Sequence, residues 1–205
     1  HRDDPFIMPH EYRAKFEEYY RESYQAKRFF DDRAKYLLKR NPIAFLDSDT
    51  LILETRPTRF SEVMFYRDKV ATNVHEADAL IEEFIVGSQQ CKFAHGFNLE
   101  LVVATSDNKI VLTKRSPKVA FFPNSWACSL EEALSDSDVA ADPDRAVRMW
   151  FARALEEELG IPSDAYHVDN LRVLSVFLER DSLNLNLCGY ATLDVVWKEL
   201  DQIFK

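Results

Sequence analysis

The chain has 205 residues, 46% of them hydrophobic and 30% charged, which is enough for an ordinary domain with a sizeable core and excludes a disordered tail or a membrane-embedded protein. With 35 acidic against 26 basic residues the formal charge is −9, and such a field disfavours non-specific binding to nucleic acid. Glycine is confined to Gly87, Gly96, Gly160 and Gly189, too scattered for a dinucleotide fingerprint or a phosphate loop.

From Pro9 to Lys39 aromatic residues recur at helical spacing: Tyr12, Phe16, Tyr19 or Tyr20, Tyr24, then Phe29, Phe30 and Tyr36. This predicts one or two amphipathic helices whose aromatic stripe packs on the rest of the domain, stopped by Asn41-Pro42. Thr50 to Glu54 is expected to be a short buried strand. A helix should start near Asn73, where Asn73 and Glu76 have capping-box spacing, and run along Ala77, Leu80, Ile81, Phe84 and Ile85 to Gly87. His75, in its first turn, is a surface residue by expectation.

Leu99, Leu101 and Val103 alternate, Asp107-Asn108 makes a turn, and Ile110 to Leu112 return, which predicts a hairpin within 97–115. After a loop carrying Trp126 and an acidic segment, Asp142-Pro143 should open a helix that Gly160 closes and Pro162 prevents from resuming. Strands over 171–178 and 183–191, turning near Arg180-Asp181, and a terminal helix after Leu193 complete the order. This is an α+β or α/β sandwich around a mixed sheet.

The chemistry concentrates at the end of the helix opened by Asp142, where Glu156, Glu157 and Glu158 crowd the last turn. Negative charge there opposes the helix dipole and repels itself. Arg148 or Arg153 can offset it, the latter four residues before Glu157, and so can a divalent cation bound by adjacent carboxylates. The five histidines lack metal spacing, and no serine sits in a glycine-flanked elbow.

The run Arg153-Ala154-Leu155-Glu156-Glu157-Glu158-Leu159-Gly160-Ile161 resembles the second half of the Nudix box, with the hairpin, Arg115, Pro123 and Trp126 preceding it as in that family. The resemblance spans 97–205. It implies an α/β/α sandwich with a mixed sheet, divided into a helical N-terminal extension over 1–45 and a Nudix-like domain over 46–205 with its box at 139–161. It further implies that Glu157 and Glu158 are metal ligands and catalytic residues, that Arg153 orients them, and that Mg²⁺ or Mn²⁺ activates water to cleave a nucleoside diphosphate derivative.

Three positions depart from the family pattern. Ala154 stands where a central metal-binding glutamate belongs, Arg145 where the first box glutamate belongs, and Val139 where the opening glycine belongs. Glu131, Glu132, Asp136, Asp138, Asp142 and Asp144 are carboxylates that could substitute in space. Arg145 in place of an acid could hold phosphate directly, and Trp126, with Phe121 and Phe122, could line a base-stacking cleft or pack in the core.

Two functions follow as expectations. The first is a degenerate, non-hydrolytic module that senses a nucleotide or phosphate-containing small molecule within a longer regulatory chain, with Arg145, Arg153 and Trp126 at the ligand. The second is an active metal-dependent Nudix hydrolase. A third reading takes the glutamate-rich helix as coincidence. Widely spaced Cys91, Cys128 and Cys188, with no apolar run of about 18 residues, suggest a reducing cytoplasm and no membrane partner. A start at His1 without methionine suits a piece of a longer chain, whose other domains would be partners.

Overall fold

The computed structural model describes residues 4–27, 32–42, 51–86, 90–118, 123–139 and 143–204. The fold is mixed α/β with an N-terminal helix. The chain divides into two compact units, His1–Phe97 with Leu178–Leu185, and Asn98–Phe177 with Asn186–Lys205.

In the first unit, α1 (His10–Gln25) buries Tyr12 and Tyr19. The expected aromatic stripe is packing: Tyr12, Phe16 and Tyr19 each meet Phe65 edge-on, at 6.3, 5.6 and 5.7 Å between ring centres. Phe65 ends α2 (Phe60–Phe65), which continues as a π-turn over Tyr66–Val70. The predicted helix does not extend to Lys39. Ala34–Leu38 forms strand β1, paired antiparallel with β2 (Thr55–Arg59). Tyr36, Leu37 and Leu38 are all buried, and consecutive burial with a strand partner overrides their helical spacing. Phe29 and Phe30 lie outside the described residues.

The strand expected over Thr50 to Glu54 is displaced. Thr50 is outside the described residues, 51–54 are irregular with Ile52 49% exposed, and pairing begins at Thr55. Helix α3 (Val74–Val86) starts where its cap predicted: Asn73 Oδ1 accepts from the Glu76 N–H at 3.4 Å, and the Asn73 amide donates to the Glu76 carboxylate.

The second unit is organised on β3 (Phe97–Ala104). Its strand order with β4 (Ile110–Val111), β8 (Leu171–Glu179) and β9 (Asn184–Thr192) is β4-β3-β9-β8, and β7 (Leu130–Ala133) also pairs with β3. β4 and β7 run antiparallel to β3. β9 runs parallel to it, since Asn98 bonds Asn186 near one end and the Leu193 N–H reaches the Ala104 carbonyl at the other. The sheet is therefore mixed, as expected.

Ser129 joins β4 to β7, accepting from the Val103 N–H at 2.7 Å and donating to the Val111 carbonyl at 2.6 Å. The predicted turn holds Asn108 at φ 60°, a left-handed position that asparagine tolerates. A separate ribbon pairs β5 (Thr113–Lys114) with β6 (Trp126–Ala127).

Two helices, α4 (Asp136–Val139) and α5 (Pro143–Leu159), follow β7, and α6 (Trp197–Ile203) ends the chain. Trp150, Phe151, Ala154 and Leu155 give α5 one buried face. The Phe151 ring lies where a Cβ on Gly189 would be, so β9 needs glycine there. Gly160, at φ 63°, closes α5 as predicted, its N–H bonded to the Glu156 carbonyl. Among the described residues no helix is long and apolar enough to cross a membrane.

Candidate functional site

The last two turns of α5 lie against β7 and α4, and Arg153 collects the carboxylates there. Its Nε and Nη2 donate to the two oxygens of Asp138 at 3.0 and 2.8 Å, and Nη2 also reaches the Ala133 carbonyl at 2.9 Å. Nη1 donates to Glu157 at 2.8 Å, the i,i+4 pair that the spacing offered, and lies 3.3 Å from Glu132. Burial opposes the charge on Arg153, but the Asp138 and Glu157 carboxylates outweigh it and raise its pKa.

Asp138 is only 2% exposed and is further satisfied by the Ser135 N–H and hydroxyl, at 2.8 and 2.7 Å. That bidentate fork is a geometry lysine could not reproduce. Of the loop acids considered from sequence, Asp138 and Glu132 are those among the described side chains that reach Arg153. Asp142 lies outside the described residues.

Glu158 takes a different role. Partial burial, a hydrogen bond shared with Glu132 and the nearby charges of Glu132 and Glu157 together raise its carboxyl pKa, with Arg153 acting in the opposite sense.

Glu158 borders a cleft of about 470 Å³ also lined by Asn98, Thr113, Lys114, Arg115 and Glu131. Arg115 donates to Glu131 at 2.6 Å across one side. Trp126 is 68% exposed, so it is not a core residue; it pairs across the ribbon with Lys114 but does not itself line the cleft. Phe121 and Phe122 lie outside the described residues.

The structure brings Glu157, Glu158 and Arg153 together. It does not bring Arg145 to them: that residue is exposed in the first turn of α5, roughly 20 Å along the helix from Glu158 at about 1.5 Å per residue. Lys114 was not assigned to a ligand by sequence reasoning, and Glu131 was only one acid among six, because their place at the cleft depends on strand pairing across intervening loops.

The donor set does not suit a multi-carboxylate magnesium centre. Ala154 is wholly buried and has no side-chain oxygen, and Glu157 and Asp138 are held by Arg153, which also lies 3.3 Å from Glu132. Among the described residues no group of three or more His, Cys, Asp or Glu side chains is arranged to hold a metal ion.

No protein-family model and no curated protein matches the chain. Among solved structures it is similar to DR0079 from Deinococcus radiodurans, with 15% identity over 79% of this chain and 74% of that one, at a TM-score of 0.41. It is also similar to a MutT/nudix family protein from Enterococcus faecalis, with 15% identity over 66% of this chain, at a TM-score of 0.39. The match spans about half (49%) of the Enterococcus chain. Similarity at this level leaves function to the chain's own residues.

Proposed function

We propose that the unit built around α5 is a Nudix-like ligand-binding module that holds a nucleotide or another phosphate-containing small molecule without hydrolysing it. The observation that carries this reading is the commitment of Glu157, Asp138 and Glu132 to Arg153, with Ala154 in the position that would supply a further oxygen. A metal-dependent hydrolase would need those carboxylates free.

The cleft offers the groups that a metal-free phosphate ligand requires. Lys114 and Arg115 are cations at its wall, the Asn98 amide keeps one N–H beyond its bond to Asn186, and Trp126 presents an exposed ring beside Lys114. Arg145, far along α5, has no part in this site.

The test is fluorescence and calorimetric titration of a non-hydrolysable nucleoside diphosphate analogue, with and without EDTA. Saturable binding that EDTA leaves unchanged, with loss of affinity in Arg115→Gln and Trp126→Ala, is the expected result. Binding that requires a divalent cation, or turnover of a hydrolysable analogue, would replace this reading with the hydrolase.

A further inference from the structure

Arg56, on β2 in the first unit, is 4% exposed. Its Nη1 donates to the Gln90 side-chain oxygen at 3.0 Å and its Nη2 to the Cys91 carbonyl at 2.8 Å. The Phe6 ring lies 5.4 Å beneath it, and its buried Nε has no hydrogen-bond partner. Two of five N–H groups are therefore committed, both to neutral acceptors.

Among the described residues no carboxylate lies within ion-pair distance of this guanidinium. Its cationic neighbours each have one: Arg40 pairs with Glu54 at 2.6 Å, Lys92 with Glu83 at 2.5 Å and Lys39 with Asp4 at 2.6 Å. The Cys91 thiol supplies no anion, because burial pushes its pKa up to about 12. Asp4, itself paired with Lys39, acts on Arg56 electrostatically without an ion-pair contact, and a buried charge so weakly compensated favours an anion.

Arg56 faces a cleft of about 470 Å³ that Arg40, Lys92, Asp4 and Gln90 also line. Glu54 and Glu83, which pair with two of these cations, are not in its lining. The wall thus carries three positive side chains against one negative. We propose that this cleft is an anion site for a phosphate-bearing small molecule, anchored by Arg56 and flanked by Arg40 and Lys92. The remaining N–H on each Nη can address two oxygens of one phosphate, as guanidinium forks do, and the two flanking cations match a dianion better than a single carboxylate. The volume leaves room for an organic body on the phosphate.

The site is separate from the α5 cleft and stands or falls independently of it. The test uses the full chain at low ionic strength, titrated with inorganic phosphate, ribose 5-phosphate and, as the carboxylate arm, citrate. Saturable binding of both phosphate probes is expected, weakened by about tenfold or more in Lys92→Gln and in Arg40→Gln, since a charge-assisted hydrogen bond is worth that much. Arg56→Gln should abolish binding while circular dichroism reports a folded chain. If that variant fails to fold, the two flanking variants carry the test. Unchanged affinity in both flanking variants, preference for citrate, no saturable phosphate binding, or loss of phosphate binding in Arg115→Gln would each overturn the proposal.

Discussion

Arg153 and Arg56 are both largely withdrawn from water, and they differ in what surrounds their charge. Arg153 faces Asp138, Glu132 and Glu157, with its fork closed on a carboxylate that is itself buried. Arg56 faces a carbonyl, an amide oxygen and an aromatic ring. The first arrangement is complete without a ligand, whereas the second has a charge to offer one. A carboxylate cluster legible from helical spacing thus has an arginine at its centre, while the arginine with neutral partners sits in a strand with no motif.

The contrast breaks most visibly when each arginine loses its charge. Arg153→Met strands Asp138 in the interior with Ser135 as its remaining partner, and should cost about 3 kcal/mol or more in urea denaturation. Arg56→Met removes a charge with no direct carboxylate contact among the described residues and leaves one carbonyl unpaired, so its loss should be smaller, about 1–2 kcal/mol. Equal losses would erase the distinction.

Acid should test the first unit next. His95 is wholly buried between Phe84 and Phe93, and burial holds its pKa down at about 4, against 6.5 in the free side chain. Between those values the unfolded chain binds a proton that the folded chain refuses. Stability is complete above pH 6.5 and falls as the pH drops toward 4, by on the order of 3 kcal/mol. Denaturation midpoints across this range should show the decline, and His95→Phe should flatten it.

The smallest effect belongs to the second unit. The Glu158 pKa is raised above 4.5, so the stability held by its protonated form is present at low pH and lost as pH rises through the folded value. Glu158→Gln should match the wild type in acid and exceed it at neutral pH by up to about 0.5 kcal/mol, modest because the side chain is exposed. Thermal melts at both pH values would detect it.

Local rules made much of the fold legible. Asn73 and Glu76 capped α3, Asp107-Asn108 turned the hairpin, and Gly160 closed α5, each a choice dictated within a few residues. The pairing of Arg153 with Glu157 was legible for the same reason, since four residues make one helical turn. Ala34–Leu38 was not, because its helical spacing yielded to a strand partner near Arg56 and Pro57. The convergence of Glu132 and Asp138 on Arg153 depends on how β7 and α4 meet α5, and sequence could only offer them as two acids among six. Arg145 shows the reverse case: it sits in the box by alignment, and the length of α5 separates it from Glu157 and Glu158.

The central claim is that the carboxylates around Arg153 are committed to one another and not to a metal. Calorimetric titration of Mn²⁺ into the full chain, alone and with a non-hydrolysable nucleoside diphosphate analogue, tests it most directly. The account predicts no stoichiometric Mn²⁺ uptake under either condition and unchanged heats in Glu157→Gln/Glu158→Gln. Stoichiometric uptake that this double substitution abolishes would contradict it.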